Sequence, residues 1–269
     1  MGVSLGGGKT DKSCVAILDY FPEYGKVFLS QIVDRIGPQL DTNPQISGDR
    51  VLTEILAHEG HGAELIALDV PLNMPVCIPC RLKCPGYEVC KVKEVAWMRK
   101  EHRHRAKRKK PNKMFTPYTE RCVEIFLNNG LEESFHLSHA LGANAAPLTA
   151  RAQFLQKHLG NNLIEVAPEV SVWRIGRALR VPKTHLRFHK HSVGGDVSRE
   201  IILSAICAKN AVFMYQQDIR LMATNSAAFD AFISAFTAYL QFRDQCEARP
   251  AGFPARAGWM AFPKEKISW

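Results

Sequence analysis

Apolar and polar residues alternate along the chain in a pattern that predicts a mixed sheet flanked by helices. Three strands are expected first, at residues 1–5, 14–20 and 26–33, with a glycine-rich turn after the first and a Pro- and Gly-containing turn after the second. Such short connections favour antiparallel pairing of neighbouring strands. Two further apolar strands, at residues 64–68 and 163–166, alternate with helical segments, which is typical of an α/β protein.

Helices are predicted wherever apolar residues recur at intervals of three or four positions. This spacing indicates helices at residues 46–59, 116–129, 147–158, 170–179, 196–210 and 226–245, and residues 258–262 are expected to form a closing strand or turn. No apolar run reaches the roughly 18 to 20 residues that a membrane span needs, and the first residues lack the pattern of a signal peptide. We therefore expect a cytoplasmic protein without a membrane partner.

The net charge of +9 is concentrated in one segment. Residues 91–113 contain eleven Lys or Arg residues and two acidic residues, so the rest of the chain is neutral overall. Like charges at this density repel one another unless an anionic partner neutralises them, and a nucleic-acid backbone is such a partner. A solvated surface segment is the alternative. The residues predicted to contact nucleic acid are Arg99, Lys100, Arg103, Arg105, Lys107, Arg108, Lys109, Lys110 and Lys113.

Four cysteines precede this basic run, at Cys77, Cys80, Cys84 and Cys90. Thiolates this close in sequence can ligate one metal centre, because sulfur is a good ligand for zinc and for iron–sulfur clusters. One compact loop with short, unequal gaps favours a 4Fe-4S cluster, and Zn²⁺ is the alternative. Residues 76–113 are therefore expected to form a cysteine-rich, basic insertion in a single domain made of residues 1–75 and 114–269.

Three carboxylates interrupt apolar segments. Asp69 ends the strand at 64–68, Glu165 lies within the strand at 163–166, and Asp230 lies in the first turns of an apolar helix. Each has a structural explanation when taken alone, as a turn acid, an outward-facing strand residue or an acid near a helix amino terminus. Together they can converge at one edge of the sheet and bind Mg²⁺ or Mn²⁺, which is the arrangement used in two-metal phosphodiester hydrolysis.

Several segments resemble one known family. ALDVPL, PYTER, IEVAPEVSVWRI, AFDAFISAFTAYL and GWMAFP are similar to segments of domain-of-unknown-function family 429, a family of predicted nucleases with an RNase H-like fold. The resemblance implies a mixed five-stranded sheet whose first three strands are antiparallel. It also implies an acidic metal site that includes Asp69, Glu165 and Asp230, with Glu169 as a helper.

One position departs from the family pattern. Members usually open with a Gly-Ile-Asp-like strand, whereas Ser4 stands here where the first carboxylate is expected. A metal-dependent nuclease and a non-catalytic nucleic-acid-binding protein are therefore both open hypotheses. The turn at residues 6–10, GGGKT, lacks the glycine spacing of a phosphate-binding loop and is expected to be a hairpin turn. ATP binding on the same broad fold is a third hypothesis.

Overall fold

One mixed sheet forms the centre of the protein. A computed structural model describes residues 1–7, 12–59, 62–108, 114–133, 135–160 and 162–269. Within these ranges the chain forms six strands: β1 (Gly2–Ser4), β2 (Ser13–Phe21), β3 (Lys26–Ile36), β4 (Ile66–Leu68), β5 (Leu163–Val166) and β6 (Met260–Ala261). Their order across the sheet is β3-β2-β1-β4-β5-β6.

The pairing of the strands confirms the predicted mixed α/β sheet. β1, β2 and β3 are antiparallel neighbours, as the short connections predict. β4 then pairs in parallel with β1, and β5 with β4. The expected number of five strands is wrong, because β6 adds a sixth strand parallel to β5. β6 lies within residues 258–262, where the sequence pattern predicts a closing strand or turn, so the wrong count comes from the family resemblance and not from this segment.

Helices cover both sides of this sheet. The described residues form α1 (Gly48–Glu59), α2 (Lys93–Arg108), α3 (Cys122–Gly130), α4 (Ala146–Leu155), α5 (Pro168–Ala178), α6 (Lys183–Phe188), α7 (Gly195–Ala208), α8 (Gln216–Thr224) and α9 (Ser226–Phe242). The sequence pattern did not predict α2, α6 and α8. In the part of the chain that the structure describes, no helix is long and apolar enough to cross a membrane.

The two faces of the sheet carry different helices because side chains alternate along each strand. Val3, Val15 and Leu68 face a core that they share with α1 and α4. Ala16 and Ala67 face the larger core beneath α9. The sheet is therefore the middle of three layers, and a residue's position along its strand determines which group of helices it meets.

α9 packs directly on β1. Phe229, Phe232 and Phe236 of this helix are fully buried, and burying each phenylalanine side chain contributes roughly 1.5–3 kcal/mol to folding. A Cβ atom on Gly2 would lie 2.1 Å from the backbone nitrogen of Ala235. Only glycine permits this close approach, which brings the first turns of α9 next to the ends of β1 and β4.

The described part of the expected insertion, residues 76–108, packs on the same core as the rest of the chain. Val95 and Met98 of α2 are buried in the core beneath α9. The Trp97 ring lies edge-on to Phe253, with ring centroids 5.2 Å apart. The first turns of α2 therefore anchor this helix, and the basic run continues it as far as Arg108.

Candidate functional site

Asp69 and Asp230 meet on the α9 face of the sheet. Asp69 follows β4 at the position two residues beyond Ala67, so alternation directs its side chain towards α9. Burial is the main reason that the pKa of Asp69 is raised to about 6, and the negative charge of Asp230 is the second. The Leu5 amide donates a hydrogen bond to Asp69 Oδ1 at 3.0 Å and, with the Ser4 side chain, opposes this rise.

Lys190 joins two of the predicted acids. Its ammonium nitrogen lies 3.0 Å from Asp230 Oδ2 and 3.4 Å from Glu169 Oε1. Burial lowers the pKa of Lys190, but the charges of Asp230 and Glu169 together outweigh this effect and raise the net pKa above the ordinary value of lysine. Lys190 therefore stays positively charged and partly neutralises the acidic group.

The second oxygen of Asp230 is left without a partner. Asp230 is 9% exposed, and its Oδ1 atom is buried with no hydrogen-bond partner among the residues that the structure describes. A buried carboxylate oxygen normally accepts a hydrogen bond or binds a cation, because leaving it unpaired is unfavourable. Among the described residues, this oxygen and the neighbouring His189 Nε2 are both buried without a hydrogen-bond partner.

A cavity opens next to these acids. It has a volume of about 270 Å³, and its charged lining residues are Asp69, Glu165, Glu169 and Lys190. Pockets that enclose a small organic ligand usually span roughly 300–1,000 Å³, so this cavity is at the lower limit.

Glu165 points away from α9. Val166 packs beneath α9, whereas Leu163 packs with the core on the opposite face, and alternation places Glu165 on the side of Leu163. Arg121 binds both of its oxygens, at 2.6 Å from Nη2 to Oε1 and 2.8 Å from Nη1 to Oε2. The Leu72 amide donates a further hydrogen bond of 2.9 Å to Oε2. Glu165 lines the cavity, but its carboxylate already has a cationic partner.

Arg121 also binds a second buried carboxylate. Its Nε atom lies 2.7 Å from Glu124 Oε1, and Arg121, Glu124 and Glu165 are all buried. Burial raises the pKa of Glu124 from its ordinary 4.5 to about 7, although the charge of Arg121 opposes the rise. One guanidinium is therefore shared by two carboxylates inside the protein.

A match to a protein-family model identifies the family of this chain. A family model described as "Protein of unknown function (DUF429)" matches residues 49–255, well over half of the chain. The chain belongs to this family. The matched span includes Asp69, Glu165 and Asp230 but begins after β3, so Ser4 lies outside it. No curated protein and no solved structure matches the chain.

The cysteine segment lies within the DUF429 match. Cys77 and Cys90 are half-buried, Cys80 and Cys84 are exposed, and all four are free thiols. Burial is the main cause of the raised pKa of Cys77, and the three other thiols are the next causes, so the four lie in one neighbourhood. Over the described ranges, no three His, Cys, Asp or Glu side chains form a group that could hold a single metal ion.

The basic residues of this DUF429 protein have different surroundings. Arg99 donates hydrogen bonds to the carbonyl oxygens of Tyr87 at 2.8 Å and Cys90 at 3.1 Å, which fastens the cysteine segment to α2. Lys100 and Arg103 are exposed on the same helix. Of the other residues predicted to contact nucleic acid, Arg105, Lys107 and Arg108 belong to the last turns of α2, and Lys109, Lys110 and Lys113 lie outside the described residues.

Two cations of the candidate site, Lys190 and Arg121, were not predicted from the sequence. Lys190 belongs to a segment with several histidines, which the sequence indicates to be part of a basic surface. No residue near Lys190 in the sequence indicates its contacts with Asp230 and Glu169. Arg121 ends the segment PYTER, one of those that carry the family resemblance. The resemblance singles out this segment but does not indicate that Glu165, 44 positions further along the chain, is the partner of Arg121.

Proposed function

We propose that this protein hydrolyses phosphodiester bonds in nucleic acid, with a divalent cation held by Asp69 and Asp230. The unpaired Oδ1 atom of Asp230 carries this proposal, because it is a buried anionic oxygen beside a second carboxylate. The proposal also rests on an RNase H-like interpretation of the fold. The antiparallel strands β1 to β3, followed by parallel strands and a late acidic helix, support that interpretation.

The donor set suits one Mg²⁺ or Mn²⁺ ion. Mg²⁺ is commonly bound by one or two carboxylates, while water and substrate phosphates complete its coordination. A second cation would need more protein ligands, but Glu165 is bound by Arg121 and Ser4 carries no carboxylate. We therefore propose one resident cation in place of the pair that the sequence suggested.

The protein residues have separate roles in this proposal. Asp69 and Asp230 would hold the cation, which would supply an activated water and stabilise charge on the leaving oxygen. Glu169 keeps the Lys190 ammonium at the cavity, where it attracts the phosphate. Lys100 and Arg103, exposed on α2, would bind the nucleic-acid backbone without regard to sequence.

Labelled single-stranded and duplex DNA and RNA, incubated with the purified protein, test this function. We expect cleavage with Mg²⁺ or Mn²⁺ and none in excess EDTA. Addition of Mg²⁺ back to the chelated sample should restore activity, which excludes irreversible damage. Absence of metal-dependent cleavage for all four substrates, in a sample that still binds nucleic acid, would reject the proposed reaction.

A non-catalytic nucleic-acid-binding protein is the second candidate. The ion pair between Lys190 and Asp230 favours it, because an internal cation already neutralises part of the acidic group. Ser4 favours it as well. The same experiment separates the two candidates, since this one requires binding that is lost with rising salt and no turnover with any cation.

We also propose that Cys77, Cys80, Cys84 and Cys90 ligate a 4Fe-4S cluster, with Zn²⁺ as the alternative. Four thiolates are the usual ligands of a 4Fe-4S cluster, and the three other thiols are near enough to Cys77 to raise its pKa. Through Arg99, which binds the carbonyl of Cys90, the cluster would set the position of α2. Anaerobically purified protein is expected to be brown and to contain about four irons per chain. A colourless protein with one zinc per chain would contradict this expectation.

A further inference from the structure

Lys190 contacts the carboxylate of Asp230, which is also the proposed ligand of a divalent cation. The ammonium and the cation would therefore compete for this carboxylate. The ammonium contacts Oδ2 of Asp230, while Oδ1 of the same carboxylate is unpaired. Asp69 and Lys190 line the same cavity. A divalent cation at Oδ1 would therefore sit within a few ångströms of a positive charge, and the two cations would repel each other at that range.

We propose that Lys190 is an internal counter-ion that occupies the acidic site before the divalent cation binds and is displaced from Asp230 when it does. This inference rests on the proposed function, since it requires Asp69 and Asp230 to bind a cation. Glu169 remains as the partner of the displaced ammonium, because it lies 3.4 Å from Lys190 and is partly exposed at the cavity. The lysine then stays in the cavity, where its ammonium attracts the phosphate of the substrate.

The geometry gives Lys190 two opposite effects. It stabilises Asp230 while the site holds no divalent cation, and it weakens the affinity of that site for one. Coupling between two binding equilibria is reciprocal. The bound metal must therefore weaken the contact between Lys190 and Asp230 by the same factor by which Lys190 weakens the binding of the metal. A substrate phosphate that draws the Lys190 ammonium away from Asp230 should therefore increase the affinity of the site for the metal. The metal would then bind most tightly when nucleic acid is present.

Mn²⁺ titration of the full-length protein, followed by the electron paramagnetic resonance signal of free Mn²⁺, tests this inference without any assay of cleavage. We expect Lys190→Met to bind Mn²⁺ at least about fivefold more tightly than the unmodified protein, the lower end of typical coupling effects. Lys190→Arg keeps the positive charge and should bind Mn²⁺ as the unmodified protein does. Lys157→Met, which removes an exposed lysine outside the cavity, is the matched control and should change nothing.

The outcomes separate the inference from the proposed function. Asp230→Asn defines the Mn²⁺ that binds elsewhere on the chain, and thermal unfolding shows whether each variant is folded. Unchanged or weaker Mn²⁺ binding by folded Lys190→Met would overturn the counter-ion role while leaving the metal site intact. If neither the unmodified protein nor Lys190→Met binds Mn²⁺ through Asp230, both the counter-ion role and the proposed function are rejected.

Discussion

Asp230→Asn is expected to reduce metal-dependent cleavage by about a thousandfold, because the loss of one carboxylate ligand removes several kcal/mol of transition-state stabilisation. Asparagine has nearly the same shape as aspartate but no charge with which to hold the cation. Rates should be measured under single-turnover conditions at saturating substrate, so that weaker substrate binding does not enter the result. Nucleic-acid affinity should be unchanged, because Lys100 and Arg103 lie on another helix.

Loss of folding is not expected to explain this effect. The carboxylate of Asp230 is buried with one unpaired oxygen, and a neutral amide is easier to bury there than a charge. Asp196→Asn, a substitution of an exposed acid in the first turn of α7, is the matched control and should retain full activity. Cleavage by Asp230→Asn at the unmodified rate would show that this residue does not hold the catalytic cation.

The meeting of Asp69 and Asp230 could be anticipated from the sequence because it depends on local rules. An acid at the end of an apolar strand lies on a face that alternation determines, and Ala67 marks that face. Asp230 interrupts a helix that is otherwise apolar enough to require burial. Both signals lie within a few residues of the acid itself, so no knowledge of distant contacts was needed to select these two residues.

The roles of Arg121 and Lys190 could not be anticipated because they depend on distant partners. Glu165 resembles Asp69 in sequence, yet one step along a strand reverses the direction of a side chain and places Glu165 beside Arg121 instead of α9. Charge pairs of this kind are fixed by the packing of α3 and β5, which no local pattern encodes.

Arg121→Met is expected to lower the free energy of unfolding by about 3–5 kcal/mol, because removal of one partner leaves buried charges uncompensated. Glu165 and Glu124 are both buried and both bind this guanidinium. Urea unfolding at pH 8 measures the loss. Arg50→Met, which breaks an exposed pair with Glu54, is the matched control and should cost no more than about 0.5 kcal/mol.

The size of this loss should depend on pH in a known direction. Without Arg121, the pKa of Glu124 should rise beyond its present value of about 7, and folding then favours the protonated form of this carboxyl group. Stability is therefore retained below the ordinary pKa of glutamate and lost as the pH rises, so Arg121→Met should be less destabilised at pH 5 than at pH 8. Adding Glu165→Gln should recover part of the loss at pH 8, because one buried charge is then removed. If Arg121→Met unfolds like the unmodified protein while Glu165→Gln alone abolishes cleavage, Glu165 acts in catalysis and the pairing with Arg121 is secondary.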